Sequence, residues 1–397
     1  MSDHNNFFEK VRRVSVLGAT GSVGKSTVEL IESNRDFYDV QALTANNNVK
    51  LLADQARRLD ASFVAIANPE KYNELKSEVS GVGIEIAAGP ESIVEAAARD
   101  TDWVMAAIVG AAGLKPTIQA VKNAAVVALA NKECLVCAGG LMLDEVIKSG
   151  CTLLPVDSEH NAIFQVFNFD NREEIEKIIL TASGGPFWLK SYEEMSGVTP
   201  TEAIAHPNWD MGDKISIDSA TMMNKGLELI EAHFLFGLPE TKIEVLVHPQ
   251  SIIHSMVEYI DGSILAQLGS PDMRIPISYT LAWPRRMEIQ KRNLKLEEIG
   301  TLTFEPPDTQ KFPALMLARE ALKIGNSAPV ALNAANEEAV AAFLCGKVSF
   351  TDIAKIVDQI LERTSFKKIE SIGDVLSIDD IARRLAQDKV ADLTVQV

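Results

Sequence analysis

The sequence has few cysteines, no long apolar run and fewer basic than acidic residues. Four cysteines in 397 residues are too few for a disulfide framework. No apolar segment approaches the roughly 18–20 residues that a membrane-spanning helix needs. Acidic residues outnumber basic ones by 55 to 38, which gives a net charge of −17. This charge argues against a nucleic-acid-binding surface, although it leaves room for a small basic pocket that holds one phosphate.

Two of the cysteines, Cys134 and Cys137, form a C-x-x-C pair. The sequence offers no second pair and no nearby histidine, so a zinc site is not indicated and a redox role is the minor alternative. We expect Cys151 and Cys345 to be small core residues.

The opening stretch reads MSDHNNFFEKVRR. It contains neither an apolar export segment nor a Ser/Arg-rich import segment. Together with the lack of a long apolar run, this predicts a cytoplasmic protein that binds neither a membrane nor a nucleic acid.

The first part of the chain alternates short β-branched runs with amphipathic helical stretches. Five of these runs are predicted strands: Val14–Leu17, Val40–Leu43, Phe63–Ile66, Trp103–Ala106 and Ala125–Leu129. Such alternation predicts an α/β fold with a parallel sheet covered on both faces.

The length predicts two or three domains. We expect an α/β domain at 1–152, a mixed α+β domain at 153–290, a Pro-rich linker at 291–312 and a helical domain at 313–397. The stretch 183–212 is irregular and too long for a simple connection, which predicts a lid or a binding loop.

The tail has a helical pattern. Five apolar residues fall on one face of a 3.6-residue period: Ile353, Ile356, Val357, Ile360 and Leu361. Ser377 and Asp380 have the spacing of a capping box, which predicts that another helix begins there.

A glycine-rich turn, Gly18-Ala-Thr-Gly21-Ser-Val-Gly24, directly follows the first predicted strand and opens an amphipathic helix. A P-loop would need glycine where Ala19 stands. A dinucleotide-binding turn needs this strand–turn–helix context, because the glycines let the backbone approach a pyrophosphate and aim a helix N-terminus at it. The pattern therefore favours a dinucleotide, with a purely structural turn as the alternative.

The end of the second strand bears on the choice of cofactor. NAD-binding enzymes usually place Asp or Glu there to bind the ribose 2′-hydroxyl. Here the chain reads Asn46-Asn47-Asn48. The missing carboxylate favours the 2′-phosphorylated cofactor, although no basic residue stands in the turn to bind the phosphate.

Two carboxylates, Asp157 and Glu159, follow the apolar run Leu153–Val156. In an extended backbone, residues i and i+2 point to the same side, so both could reach one hard divalent ion such as Mg²⁺ or Mn²⁺. The alternative is a solvated strand end with a capping Asp.

A later segment, 218–236, supports the metal interpretation. Ser219 has the character of an N-cap, and an apolar stripe follows: Met222, Met223, Leu227, Ile230 and Phe234. At about 100° per residue, Asn224, Lys225 and Glu228 share the opposite face. An amide, an ammonium and a carboxylate together suit a phosphorylated substrate beside a metal ion, whereas a solvated helix face is the simpler alternative.

Further candidate groups lie in loops. Ser183-Gly-Gly-Pro could offer a hydroxyl and backbone N–H groups to an anion. His206 and Trp209 lie in the suspected lid, although single histidines, including His233, His248 and His254, are more often structural. The segment 130–133 follows an apolar strand, where α/β sheets place ligand-binding groups.

Taken in order, these motifs resemble those of the 1-deoxy-D-xylulose 5-phosphate reductoisomerase family. The shared motifs cover nearly the whole chain: GATGSVG, MAAIVGAAGL, LANKE, LLPVDSEHNAIFQ, SGGPF, HPNWDMG, ISIDSATMMNKGLE, HPQSIIHSM and LNAANE. The resemblance implies a Rossmann-like NADPH-binding domain, a central catalytic domain with a mobile loop, a C-terminal helical bundle and a homodimer.

The resemblance also implies a site for a small phosphorylated sugar and a metal ion. Asp157, Glu159 and Glu228 would hold Mg²⁺, Mn²⁺ or Co²⁺. Four residues would bind the phosphate: Ser183, Ser219, Asn224 and Lys225. Lys132 and Ser158 would contact the carbon chain of the substrate, with Lys132 among the catalytic residues, and His206 and Trp209 would close over it.

The residues that the resemblance assigns to NADPH are spread along the chain: Thr20, Gly21, Ser22, Val23, Asn46, Asn47, Asn48, Asn131, Glu133 and Gly212. Some relatives carry a basic residue where Asn47 stands, and the segment 188–190 is too variable for its lid contacts to be transferred. Two other functions compete, namely a simple NAD(P)-dependent dehydrogenase with a structural acidic cluster and a non-catalytic dinucleotide sensor.

Overall fold

The structure is a computed structural model that describes residues 10–209, 211–290 and 293–394. The described residues form two compact units. The first contains the residues up to Cys134, those of Met142–Asn161 and those from Asp272 to the gap at 291–292. The second contains Leu135–Leu141, Ala162–Pro271 and the described residues from Asn293 onward. The predicted boundaries at 152, 290 and 312 stay predictions.

The first unit is built on a seven-stranded parallel sheet with the order β4-β3-β2-β1-β5-β6-β7. Its strands are β1 Arg12–Leu17, β2 Tyr38–Ala45, β3 Phe63–Ile66, β4 Glu85–Ala88, β5 Trp103–Ala106, β6 Val126–Leu129 and β7 Thr152–Pro155. The strand order reverses at β1, between β2 and β5. Ligands of open α/β sheets bind beyond the carboxyl ends of the strands at such a point.

The five strands predicted in the first part of the chain are confirmed, and so is the α/β fold. β3, β5 and β6 are buried along their whole length, as expected for central strands covered by helices. The edge strand β4 has the sequence EIAA and is only partly buried, so its pattern gave no strand signal. β7 pairs with β6, which places the strand before the acidic cluster in the parallel sheet.

Each strand of this sheet is followed in the chain by a helix. These helices are α1 Ser22–Glu32, α2 Val49–Arg58, α3 Tyr72–Glu78, α4 Pro90–Ala97, α5 Leu114–Asn123, α6 Glu133–Ser149 and α7 Ser158–Val166. A later helix, α12 Arg274–Ala282, lies wholly within this unit. Its end is fixed by Trp103, whose indole N–H donates to the carbonyl oxygen of Thr280 at 3.0 Å.

The second unit contains a four-stranded mixed sheet with the order β11-β10-β8-β9. Its strands are β8 Ile175–Ala182, β9 Ile243–Val247, β10 Ile253–Tyr259 and β11 Ile264–Leu268. β8 and β9 are parallel, and β10 is antiparallel to both of its neighbours.

Helices account for most of the rest of this unit. They are α8 Tyr192–Met195, α9 Pro200–Ile204, α10 Asp213–Thr221, α11 Met223–Phe236, α13 Leu296–Ile299, α14 Ala314–Ile324, α15 Ala328–Leu344, α16 Phe350–Arg363 and α17 Ile372–Thr394. The helical tail is confirmed, because the predicted apolar face of α16 is buried. No helix in the part of the chain that the structure describes is long and apolar enough to cross a membrane.

Three local expectations are wrong. The stretch 183–212 is not irregular throughout, because capping boxes at Ser191 and Thr199 start the short helices α8 and α9. The helix expected to begin at Ser377 begins at Ile372, since Ser371 and Asp374 form the same kind of hydrogen-bonded pair earlier. Cys345 follows the end of α15 and is exposed, although all four cysteines are free and the other three are buried.

Candidate active site

The glycine turn after β1 leaves no room for a side chain at Gly18 or Gly24. Gly18 has a φ of +88°, and a β-carbon there would lie 2.6 Å from the carbonyl oxygen of Ala107. The Gly18 N–H donates to the Thr44 hydroxyl at 2.9 Å. Gly21 precedes α1 and offers no side chain to cap it. The predicted residues Thr20, Gly21, Ser22 and Val23 therefore surround an uncapped helix N-terminus, which suits the pyrophosphate of a dinucleotide.

The Asn46–Asn48 turn after β2 is fixed by its own asparagines and by Asn68. Asn48 caps α2 by accepting the Leu51 N–H at 3.2 Å. The Asn47 side-chain oxygen accepts from the Asn68 side-chain amide at 2.9 Å, and the Asn46 carbonyl accepts the Asn68 N–H at 3.1 Å. Asn68 was missed from the sequence, where only its position before a proline marks it.

Asn131 holds the loop that follows β5. Its side-chain amide donates to the carbonyl oxygens of Ile108 and Gly110, and the residue is 3 % exposed. The adjacent Glu133 begins α6 and is also buried. Both predicted cofactor residues thus lie at the carboxyl edge of the sheet, where α/β proteins bind nucleotides.

The acidic cluster is organised around Asp157. Its carboxylate lies 2.6 Å from the Lys132 ammonium and 3.0 Å from His160 Nδ1. It also accepts the backbone N–H of Glu159 at 3.2 Å, as a capping residue does. Ser158 donates to the Glu159 carboxylate at 2.7 Å.

The expected reason for the pairing of Asp157 and Glu159 is wrong, because Glu159 lies in the first turn of α7 and not in an extended strand. Asp157 caps α7, so the capping part of the alternative interpretation is confirmed, although the Asp157 side chain is only 11 % exposed and is not solvated. It does not account for the buried Lys132 and the fully buried His160 on the same carboxylate. Carboxylates oriented by cationic and imidazole partners are typical of metal ligands with a supporting shell.

In the second unit, Ser183 and His206 form a defined hydrogen-bonded pair. Ser183 Oγ lies 2.9 Å from His206 Nε2 and accepts the Gly185 N–H at 3.2 Å. His206 Nδ1 accepts the backbone N–H groups of Asn208 at 3.2 Å and Trp209 at 3.0 Å. A nitrogen that accepts carries no proton, so the neutral ring holds its proton on Nε2 and donates to Ser183.

This arrangement determines whether the Ser183 hydroxyl donates or accepts a hydrogen bond with a ligand. Because its oxygen already accepts two hydrogen bonds, its own O–H can donate to a ligand. Burial lowers the pKa of His206 below its ordinary value, which favours the neutral ring that the geometry requires. Ser183 is therefore prepared as a donor to an anion.

The corner between α10 and α11 brings the other predicted anion-binding residues together. Ser219 is not an N-cap, because it lies in the last turns of α10, and Met222, with a φ of +65°, separates the two helices. Gly185 packs against the end of α10, since a β-carbon at Gly185 would lie 2.8 Å from the Ser219 carbonyl oxygen. Asn224 and Lys225 follow in the first turn of α11.

The shared helix face predicted for Asn224, Lys225 and Glu228 is confirmed. The Asn224 amide and the Lys225 ammonium both donate to the Glu228 carboxylate. Lys225 is 3 % exposed and Glu228 is 1 % exposed. The solvated-face alternative is therefore excluded, and burying such charges is costly unless they serve a site.

Two histidines near this corner have different roles. His248 is structural, because its ring nitrogens bind the carbonyl oxygen of Thr303 and the backbone N–H groups of Ile252 and Ile253. His254 lies with its ring 6.0 Å from that of Trp209. Burial is the main cause that lowers the pKa of His254 to about 4, and the nearby charge of Lys225 adds to it. His254 is therefore neutral near pH 7.

Asn208 was missed from the sequence. Its side-chain amide donates to the Pro249 carbonyl at 2.7 Å and to the Ser251 hydroxyl at 3.1 Å, which attaches the suspected lid to the segment after β9. Gly212 precedes α10 as its N-cap. In the sequence, Asn208 is marked only by its place in the motif HPNWDMG, which assigns it no role.

Comparison with family models covers three parts of the chain. The chain matches three family models: "1-deoxy-D-xylulose 5-phosphate reductoisomerase" over residues 14–139, the C-terminal domain of the same enzyme over residues 153–236, and "DXP reductoisomerase C-terminal domain" over residues 268–385. Together the three matches span most of the chain.

Individual relatives are similar along nearly their full lengths. The 1-deoxy-D-xylulose 5-phosphate reductoisomerase of Zymomonas mobilis subsp. mobilis is 59 % identical over 372 residues, covering 94 % of this chain and 96 % of the relative. That of Rhodospirillum centenum is 55 % identical, with coverages of 98 % and 96 %.

Solved structures agree with the fold of the chain. The Zymomonas mobilis enzyme in complex with NADPH has a TM-score of 0.91 and 57 % identity, with 96 % of this chain and 99 % of that one covered. A reductoisomerase in complex with NADPH, fosmidomycin and magnesium has a TM-score of 0.90 and 43 % identity, with coverages of 96 % and 98 %.

Proposed function

The chain belongs to the 1-deoxy-D-xylulose 5-phosphate reductoisomerase family, and we propose which of its residues bind the metal ion, the substrate and the cofactor. The reaction converts 1-deoxy-D-xylulose 5-phosphate to 2-C-methyl-D-erythritol 4-phosphate with NADPH and a divalent metal ion. The observation that best supports the division of roles is the buried group Asn224, Lys225 and Glu228 beside Ser183 and Ser219.

We propose that Asp157, Glu159 and Glu228 hold the metal ion. Three carboxylates are the oxygen ligands that Mg²⁺, Mn²⁺ and Co²⁺ accept, and magnesium is present in solved structures of relatives. When bound, such an ion supplies Lewis-acid polarisation of substrate oxygens. Lys132 and His160 orient the Asp157 carboxylate, which supports its use as a ligand.

The substrate phosphate is held by Ser183, Ser219, Asn224 and Lys225 in this proposal. Ser183 donates its O–H because His206 and Gly185 already donate to its oxygen. Lys225 supplies a buried positive charge at the start of α11, where the helix dipole also favours an anion. Binding the phosphate far from the reacting carbons supplies positioning energy for the chemistry.

The reacting part of the substrate is assigned to Lys132 and Ser158. Lys132 holds a proton at Nζ within 2.6 Å of Asp157, so it can orient a substrate oxygen or donate to one. His206 and Trp209 cover the substrate and exclude water, and Asn208 fixes the segment that carries them.

NADPH, which supplies the hydride, is assigned to the residues at the carboxyl edge of the parallel sheet. Thr20, Gly21, Ser22 and Val23 receive the pyrophosphate, and Asn46–Asn48 lie where a 2′-phosphate would be. Asn131 and Glu133 follow β6 at the same edge of the sheet, and Gly212 is assigned to NADPH by family resemblance. Asn47 offers an amide instead of a cation, so the selectivity over NADH is expected to be moderate.

A direct assay tests this assignment. Purified protein mixed with 1-deoxy-D-xylulose 5-phosphate, NADPH and Mg²⁺ should oxidise NADPH, and EDTA should stop the reaction because the Lewis acid is removed. NADH should support a slower but measurable rate. Oxidation of NADPH that continues unchanged in EDTA would contradict the metal assignment and favour a simple dehydrogenase.

We further propose that the chain forms a homodimer through β11. This strand is at the edge of the four-stranded sheet and exposes three apolar side chains: Ile264 at 51 %, Leu265 at 49 % and Leu268 at 38 %. A bare apolar edge strand invites pairing with a second copy. In size-exclusion chromatography with light scattering, the native protein should have a mass twice the 43.2 kDa of one chain.

A charge on that edge should weaken the dimer. Leu265→Lys is expected to shift the equilibrium to monomer, because lysine on an edge strand blocks strand pairing. Leu296→Lys is the matched control, since Leu296 is 57 % exposed but lies in α13. A Leu265→Lys protein that stays as dimeric as the control would exclude β11 as the interface.

A further inference from the structure

The motif LNAANE lies in α15 and has no role in the assignment above. Asn336, within it, is fully buried, and its side-chain amide donates to the Asp218 carboxylate at 2.8 Å. The other carboxylate oxygen of Asp218 lies 2.7 Å from the Lys214 ammonium. Asp218 itself is 1 % exposed. A buried carboxylate is thus held from two sides, by a distant helix and by its own.

Asp218 directly precedes the proposed phosphate donor Ser219 and is connected to the corner that follows. Its carbonyl oxygen accepts the Thr221 hydroxyl at 3.2 Å, and the Thr221 hydroxyl in turn accepts the Met223 N–H at 3.3 Å. Asn224 and Lys225 come next in the chain. The position of Asp218 therefore sets where α10 ends and where the first turn of α11 begins.

The helix that carries Asn336 is itself anchored on another side. Glu337 accepts the Asn333 amide at 3.0 Å and forms an ion pair with Arg383 of α17. Arg383 also pairs with Asp379 at 2.7 Å, one turn earlier in α17. Asn336 thus extends from a helix whose neighbouring turn is fixed by a network that does not involve the corner.

We propose that Asn336 is a positioning residue for substrate phosphate binding, acting through Asp218 on Ser219, Asn224 and Lys225. This inference rests on the phosphate assignment of the proposed function. The physical basis is that a hydrogen bond to a buried charged group has a large effect when one partner is removed, because the charge loses a donor that water cannot replace. Helix α15 thus contributes to phosphate binding without contacting the phosphate.

The test is a kinetic comparison of substitutions in α15. Asn336→Leu and Asn336→Asp should raise KM for 1-deoxy-D-xylulose 5-phosphate by about 10- to 100-fold, the effect expected for a lost hydrogen bond to a charged group. KM for NADPH should stay within about twofold, because that assignment does not depend on this corner. Asn333→Leu is the matched control, since Asn333 is equally buried on the same helix but bonds to Glu337.

Exchanging the side chains of Asp218 and Asn336 distinguishes a positioning role of Asn336 from a general loss of stability. Combining Asp218→Asn with Asn336→Asp swaps donor and acceptor, so the hydrogen bond can re-form and KM for the phosphorylated substrate should return toward the native value. The double variant also keeps the test valid if either single variant folds poorly. Equal KM changes for both substrates, or a KM for the substrate that the exchange does not lower, would overturn the inference.

The phosphate assignment is checked in the same series. Ser219→Ala should raise KM for the substrate whatever Asn336 does. If Ser219→Ala has no effect, the proposed phosphate site fails. If Ser219→Ala has its effect while Asn336→Asp behaves as Asn333→Leu, only the role of Asn336 fails.

Discussion

Replacing Glu228 by Gln should lower kcat/KM by at least about 100-fold and raise the metal concentration needed for half-maximal rate. Loss of a residue that merely supports a ligand costs about 10- to 100-fold, so loss of a ligand should cost more. Gln keeps the size of the side chain, but its amide oxygen binds a hard divalent ion far less well than a carboxylate. Steady-state rates over a Mg²⁺ titration measure the change.

Glu244→Gln provides the comparison for this experiment. Glu244 also lies in the second unit, but it is a β9 residue whose partner, 2.6 Å away, is Lys177, and its side chain is 43 % exposed. Removal of such a surface pair has little effect, so this variant should keep the native rate and metal dependence. A Glu228→Gln enzyme with native kcat/KM at low Mg²⁺ would remove Glu228 from the metal site.

The second large effect is expected at Lys225. Lys225→Met should raise KM for the substrate by about 100-fold or more, because a buried charge-assisted contact to the phosphate is lost. It should also lower the free energy of unfolding by about 3–5 kcal/mol, since the buried Glu228 carboxylate loses its ammonium partner. Denaturant unfolding in EDTA measures the second effect without a contribution from bound metal.

A double variant separates the two consequences. Lys225→Met combined with Glu228→Gln removes both charges, so the free energy of unfolding should recover by more than half while activity stays lost. If the Lys225→Met protein is as stable as the native protein, the buried ion pair of Lys225 and Glu228 does not stabilise the fold. If KM for the substrate is unchanged, Lys225 does not bind the phosphate.

Much of this site follows from local rules of sequence. The glycine turn is identified by its place after a β-branched strand, and Asn224, Lys225 and Glu228 are brought together by helical spacing alone. Family motifs then assign their chemistry. These features are predictable because the distance between their members is set within a few residues of backbone.

Other features depend on contacts that no local pattern encodes. Met222 adopts a left-handed conformation that a sequence signals only when glycine is present, so Ser219 was assigned to the wrong end of a helix. The bonds of Asn68, Asn208 and Asn336 join residues 21, 41 or more than 100 positions apart. The sequence alone does not distinguish an asparagine that faces water from one whose side chain joins two distant segments.

The left-handed Met222 has a consequence for how tightly the corner can bind. A non-glycine residue in this conformation costs roughly 1–2 kcal/mol, whereas glycine would adopt it freely but would also let the corner sample other arrangements. Met222 is 2 % exposed, so packing of its side chain holds the conformation in place. Before the phosphate arrives, Ser219 and Lys225 are thus already restricted in their mutual orientation. Little conformational entropy is then lost at this corner on binding, and more of the contact energy appears as affinity.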